Sequence, residues 1–261
     1  MAAISVFSPG LFRNKVAIVT GGGTGIGKAI AAELLGLGQD PSVFLKYRLA
    51  YYVPFVVLLN YSSHCSLSPA LLTPLQCNIR REEEVETLVK STLGLHGRID
   101  FLVNNGGGQF PSPSEAISAK GWNAVIDTNL TGTFYCCKNV MSFIKTRLLI
   151  LFQLLFNCRI RHTGAARAAV DNLTKSLAIE WAHSGVRINS VAPGTIFSQT
   201  AVENYKDMGP QLFQSYIPKI PAKRLGLPEE VSPTVCFLLS PASSFISGET
   251  IKIDAGQSLY Q

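Results

Sequence analysis

Three glycines in the stretch TGGGTGIG, residues 20–27, have a spacing suited to gripping a pyrophosphate: Gly21, Gly25 and Gly27 follow a G-x-x-x-G-x-G pattern. Glycine lets a backbone turn sharply and approach a ligand closely, and a helix that starts there offers unpaired N–H groups to an anion. The Thr24 hydroxyl adds a further donor. The spacing differs from G-x-G-x-x-G, because Ile26 and Lys28 stand where its last glycine would fall. Further on, Lys46 and Arg48 lie where a second strand should end, in SVFLKYR, with no acidic residue beside them. Cations at that place suit the 2′-phosphate of NADPH better than the free ribose hydroxyl of NADH.

A glycine turn carries meaning only between a strand and a helix. Val16–Val19 is a short unbroken apolar run, as expected of a strand covered on both faces, and from Ile26 to Leu37 apolar residues recur at helical spacing. RIDFLVNNGGG (98–108) and GVRINSVAPGTI (185–196) repeat the scheme of apolar run and glycine-rich turn, and ETIKIDAGQS (249–258) reads as a last strand. Helices fit between them at Glu82–Leu95, Lys120–Ile144, Ala165–Ala182 and Glu229–Leu239. The alternation predicts an α/β fold: a single doubly wound Rossmann-type domain over residues 1–261, with a central parallel sheet flanked by helices on both faces.

Two segments depart from the pattern. Residues 49–79 contain no Lys, Arg, Asp or Glu, so they offer no charged face for a surface crossover helix, and Pro54 and polar residues interrupt them as a membrane span. LLILFQLLFNC (148–158) is apolar without alternation and too short to span a bilayer. It reads either as a buried strand or, like 41–72, as a foreign insertion.

The composition bounds the rest. A chain of 261 residues with 47% hydrophobic residues can bury a sizeable core. A net charge of +6 without a basic run favours small anionic ligands and gives no sign of nucleic acid. Six cysteines without C-x-x-C spacing suggest incidental thiols in a reducing compartment and no metal site. The N-terminus lacks a signal-peptide core, and the C-terminal SLYQ is not an SKL-type address, so the cytoplasm is the expectation from the residues alone.

TGGGTGIG, NNGG (104–107), DTNLTGTF (127–134), AARAAVDNLTKSLAIEW and RINSVAPG (187–194) occur in the order and spacing of one family, and the chain resembles the short-chain dehydrogenase/reductases. Within that family LVNNGGGQF, SQTAVENY, IPAKR and CFLLSPASSFISG make it similar to the peroxisomal trans-2-enoyl-CoA reductases. The resemblance covers 12–38, 73–145 and 163–260 and fails over 41–72 and 146–162. It implies NADPH as cofactor, an acyl-CoA thioester as substrate, a homo-oligomer and a peroxisomal setting. Gly21, Thr24, Gly25, Ile26 and Gly27 would hold the pyrophosphate. Asn78 would approach the adenine side, Asn105 and Gly106 would flank the adenosine ribose, and Pro193, Gly194 and Thr195 would line the nicotinamide pocket. Asn129 would anchor a water chain.

The same resemblance exposes a gap. The family sets a tyrosine four residues before a lysine on the helix of 165–182; here Lys175 is preceded at that spacing by Asp171, and Arg167 by Thr163. Arginine can hold a ribose but does not release a proton at neutral pH. No serine or threonine lies between Arg147 and Arg159, where the family's serine would follow its strand. Enoyl reduction tolerates such losses better than ketone reduction, because hydride adds at C3, charge gathers on the thioester oxygen and C2 is protonated afterwards. The candidates for the proton are a water held through Asn129, or Asp171 beside Lys175. The implied function is NADPH-dependent reduction of trans-2-enoyl-CoA in fatty-acid chain elongation. The alternatives are a 2,4-dienoyl-CoA or 3-oxoacyl thioester reductase, or a catalytically impaired splice variant or pseudoenzyme.

Overall fold

A computed structural model describes residues 7–38, 55–60, 71–152, 161–205 and 209–259. Seven strands form one sheet: β1 (Ala17–Thr20), β2 (Phe55–Asn60), β3 (Leu71–Gln76), β4 (Ile99–Asn104), β5 (Ile144–Phe152), β6 (Arg187–Pro193) and β7 (Thr250–Ile253), in the order β3-β2-β1-β4-β5-β6-β7. The helices are α1 (Gly25–Gly38), α2 (Glu82–His96), α3 (Ala119–Ile126), α4 (Gly132–Met141), α5 (Arg161–Glu180), α6 (Gln199–Asn204), α7 (Gly209–Tyr216) and α8 (Pro228–Leu239). From β1 through β4, β5, β6 and β7 every neighbouring pair is parallel. The fold is Rossmann-like, as the alternation of elements predicts.

Helices cover both faces. On one, α1 and α8 bury Ile30, Leu34, Val235 and Leu238 against Val19, Phe101 and Val103. On the other, α2, α4 and α5 bury Val85, Val89, Val140 and Val170 against Ile18, Leu102 and Ile188. Each such side chain contributes about 1.5–3 kcal/mol on burial. Cys77, Cys136, Cys137 and Cys236 belong to these layers as buried free thiols. Burial, helped by the Glu84 charge, pushes Cys77 up to about 11, and burial raises the other three as well, so none is a thiolate at neutral pH.

The second strand corrects the sequence reading twice. The second strand among the described residues lies at Phe55–Asn60, later than the end near residue 46 that the sequence suggests, and it runs antiparallel to both β1 and β3. The physical reason is in the uncharged stretch. A parallel β2–β3 pair needs a crossover of about a dozen residues or more, normally a helix, and residues 61–70 supply neither the length nor a charged face. An antiparallel pair needs no crossover. Lys46 and Arg48 lie outside the described residues. The segment read as either strand or insertion is β5 up to Phe152, paired with β4 and β6 in register.

The long helix expected over Lys120–Ile144 runs on as continuous helical backbone from Ala119 to Met141, with a π turn inside it. That turn, Asp127–Thr131, separates α3 from α4, and Ile144 already begins β5. Side chains favour the wider turn. Thr128 Oγ1 donates to the Ala124 carbonyl at 2.7 Å and Asn129 Nδ2 to the Val125 carbonyl at 2.9 Å, so two acceptors of the helix are shared with side chains. Single π turns of this kind often mark functional positions.

Candidate active site

The glycine turn stands at the C-terminal end of β1. Gly21 (φ +65°) and Gly25 (φ +51°) hold left-handed conformations that side chains disfavour. At Gly27, in the first turn of α1, a Cβ would lie 2.3 Å from the Gly21 carbonyl oxygen and 2.4 Å from Asn105 Nδ2, so no side chain fits there. The turn is braced from β4. Asn105 Nδ2 donates to the carbonyls of Thr20 (3.0 Å) and Gly21 (3.3 Å), and the Gly106 N–H donates to Thr20 Oγ1 (2.8 Å). The first turn of α1 carries no acidic residue, so the positive field of its N–H groups is not cancelled. The Thr24 carbonyl accepts from the Lys28 N–H inside that helix, and Ile26 packs on the core beneath it.

Asn78 closes β3. Its Oδ1 accepts from the Arg80 N–H at 3.2 Å and its own N–H donates to Glu84 Oε2 at 2.7 Å, which fixes the turn into α2. Pro193 ends β6. Gly194 N–H donates to the Ile253 carbonyl, and a Cβ on Gly194 would lie 2.9 Å from Asp254 Cα. The Thr195 N–H donates to Gln257 Oε1 at 3.1 Å, and its hydroxyl lies 3.2 Å from the same oxygen. Gln257 thus belongs to this edge, although nothing in the run DAGQS signals it.

The remaining polar groups meet one loop, residues 107–110, after β4. Gly107 lies between Arg167 and Asn129: a Cβ there would sit 2.3 Å from Arg167 Nη2 and 2.7 Å from Asn129 Oδ1. Asn129, fully buried in the π turn, clamps Gly108 on both sides; Nδ2 donates to its carbonyl at 2.7 Å and Oδ1 accepts its N–H at 3.3 Å. Gln109 Nε2 donates to the hydroxyl of Tyr205, which follows α6. Phe110 packs its ring against His162, centroids 4.4 Å apart. His162 and Thr163, both fully buried, form the first turn of α5.

The family model described as Enoyl-(Acyl carrier protein) reductase matches residues 22–258. The chain belongs to the short-chain dehydrogenase/reductase family. It is 30% identical over 94% of its length to a Bacillus subtilis protein named probable 2,4-dienoyl-CoA reductase, 96% of which is covered. It is 32% identical over 96% of its length to the peroxisomal 2,4-dienoyl-CoA reductase of Danio rerio, covered to 84%. Among solved structures, the citronellol catabolism dehydrogenase of Pseudomonas aeruginosa PAO1 superposes with a TM-score of 0.74 at 34% identity, over 98% of this chain and 100% of that one.

Membership in the short-chain dehydrogenase/reductases brings a nicotinamide cofactor with it, and the close packing of Gly27 on the Gly21 carbonyl and Asn105, which any Cβ would break, keeps the glycine turn in a shape that fits a dinucleotide. The candidate catalytic residues of this short-chain reductase separate into two groups. Arg167 and Asn129 meet at Gly107. Arg167 is buried, and burial lowers its guanidinium to about 10, so it stays charged at neutral pH. Asp171 and Lys175, one and two turns further along α5, do not join them. Asp171 Oδ2 accepts from Lys175 Nζ at 2.6 Å and Oδ1 from the Thr250 hydroxyl at 2.7 Å, at the start of β7. Burial tends to raise the Asp171 pKa, but the hydrogen bonds from Lys175 and Thr250 and the Lys175 charge outweigh it and hold it below the ordinary value. That carboxylate is ionised at neutral pH, so Asp171, one of the two candidates for the proton, has none to give. Lys175 is raised by the hydrogen bond to Asp171 and stands largely exposed.

Proposed function

We propose that the chain reduces the C2=C3 bond of a trans-2-enoyl-CoA thioester with NADPH, in fatty-acid chain elongation. The observation that carries the reading is the pairing of a braced glycine turn at the end of β1 with an α5 that lacks the tyrosine a ketone reduction would need. The names of the Bacillus subtilis and Danio rerio relatives support an acyl-CoA substrate, and the latter supports a peroxisomal setting. The nicotinamide, when bound, supplies hydride at C3 of the acyl chain. The chain's own residues do the rest. Gly21, Thr24, Gly25, Ile26 and Gly27 hold the pyrophosphate, Asn105 and Gly106 keep that turn in shape, and Pro193, Gly194 and Thr195 close the nicotinamide side. Arg167, charged and fixed beside Gly107, holds ribose hydroxyls. Asn129 sets the 107–108 backbone against which a proton-carrying water rests.

For NADPH the sequence offers Lys46 and Arg48, which lie outside the described residues, and one further pair of cations. Because β2 is antiparallel, its C-terminal end at Asn60 lies opposite the glycine turn, and the strand end beside β1 Thr20 is Val56. A 2′-phosphate on the adenine side would find cations in Arg80 and Arg81, which follow Asn78 in the chain. A homo-oligomeric state belongs to the same reading: Ile179, Phe245 and Leu259 stand exposed.

The names of the relatives favour one second reading, reduction of a 2,4-dienoyl-CoA. Steady-state oxidation of NADPH and of NADH, measured with trans-2-enoyl-, 2,4-dienoyl- and 3-oxoacyl-CoA of one chain length, separates these. The expected result is the highest kcat/KM with NADPH and the trans-2-enoyl thioester. A higher value with the dienoyl substrate gives the second reading, and NADPH binding by fluorescence without turnover of any of them identifies a pseudoenzyme.

A further inference from the structure

The first turn of α5 contains a group of polar atoms that no described residue pairs with. Both ring nitrogens of His162 and the hydroxyl oxygen of Thr163 are buried, and none has a hydrogen-bond partner among the described residues. Buried polar atoms are nearly always paired, and leaving one unpaired costs stability. Adjacent residues holding three such atoms, none met by a described residue, suit a ligand as their partner. Their place says of what kind. They open a twenty-residue helix, whose N-terminal N–H groups carry a positive field, and no acidic residue in that turn offsets it. The His162 ring lies on Phe110, the fourth residue of the loop whose Gly107 and Gly108 carry Arg167 and Asn129. Burial lowers the His162 pKa, so at neutral pH its ring is uncharged with one N–H to give. Thr163 adds one O–H. Two neutral donors in a positive field match an oxygen that is neutral at first and gains negative charge.

We infer that His162 and Thr163 bind the carbonyl oxygen of the acyl thioester and take the place of the serine that β5 does not provide. The inference rests on the acyl-thioester reading above and adds to it the residues that touch the reacting carbonyl. Donors aimed at an oxygen where charge develops act most strongly in the transition state, where losing one costs on the order of 100-fold in rate.

The test uses the full chain and two probes: hexanoyl-CoA, a saturated thioester, and S-hexyl-CoA, a thioether of the same chain without the carbonyl. Calorimetric titration of the unsubstituted chain gives its preference for the thioester. Thr163→Val and His162→Phe should each reduce that preference about fivefold, the scale of one neutral hydrogen bond, while NADPH affinity stays unchanged; Thr163→Ser should restore it. His162→Gln serves where the phenylalanine does not fit. Thermal melting gives a second readout. A threonine that only stabilised the fold would lower Tm when replaced by valine, whereas an unpaired one leaves Tm unchanged or raised. If the variants keep the full thioester preference, the assignment is overturned while the acyl-thioester reading stands. If the unsubstituted chain binds NADPH but shows no preference for the thioester, that reading falls and the assignment with it.

Discussion

The glycine turn and the first turn of α5 are built on opposite plans. Around Gly21 and Gly27 the protein satisfies itself: Asn105 and Gly106 bond to Thr20 and Gly21, and the shape comes from backbone and missing side chains. Around His162 and Thr163 the polar atoms are buried and left open. On the function proposed above, the first region is a finished mould for a ligand whose phosphates are always the same. The second depends on a ligand to complete it. The difference teaches where substitutions matter: geometry governs the first site and donor chemistry the second.

Adding a single methyl group to the mould breaks this contrast most sharply. Gly27→Ala sets a Cβ 2.3 Å from a backbone oxygen that cannot swing aside, and overpacking of this kind costs about 1–3 kcal/mol. A lowered Tm and a loss of NADPH fluorescence enhancement are expected together; normal NADPH affinity in this variant would mean that the turn does not hold the nucleotide.

Asn129→Ala comes next, because it acts between the two regions. It frees both Gly108 backbone groups and the Val125 carbonyl, with a cost of about 1–3 kcal/mol for those left buried. Turnover should fall much further than NADPH affinity, since the released loop is the one that meets Arg167. Equal losses in the two would place Asn129 in the fold's general support.

The smallest effect is one of pH. Burial depresses the pKa of His162, and of His96, below the ordinary 6.5. Above that value both the folded and unfolded chains hold these rings neutral. As pH falls through it, the unfolded chain takes up protons that the folded chain refuses, so stability drops on acidification. Denaturant melts between about pH 7.5 and 5.5 should show this slope, and His162→Phe should remove the His162 share; an unchanged slope would mean that this ring is not shielded from water.

Much of this is legible in the order of residues. The turn of 20–27, the NNGG brace and the strands before them are short-range signals, set by glycine and by apolar runs next to it. The reversal of β2 is not, because an uncharged stretch without periodicity has no preferred direction until a neighbour claims it. The π turn at Asp127–Thr131 escapes for a different reason: it depends on Thr128 and Asn129 bonding back to carbonyls of the preceding turn, which spacing alone does not reveal. His162 carries no signal in the sequence because its significance comes from Phe110, far away in the chain, and Tyr205 is hidden for the same reason through Gln109. Asp171 and Lys175 stand out by register, and the structure shows that register alone does not bring a side chain to a site.

The reversed β2 also bears on how the molecule assembles. Asn60 faces Leu71 across the β2–β3 ladder, so this edge can zip from contacts that are close in sequence. The interior pairs join residues as distant as Ala17 and Phe101, and closing such long spans is what slows folding. Reversing one strand has given this sheet an outer margin able to form early and wait for the middle to arrive.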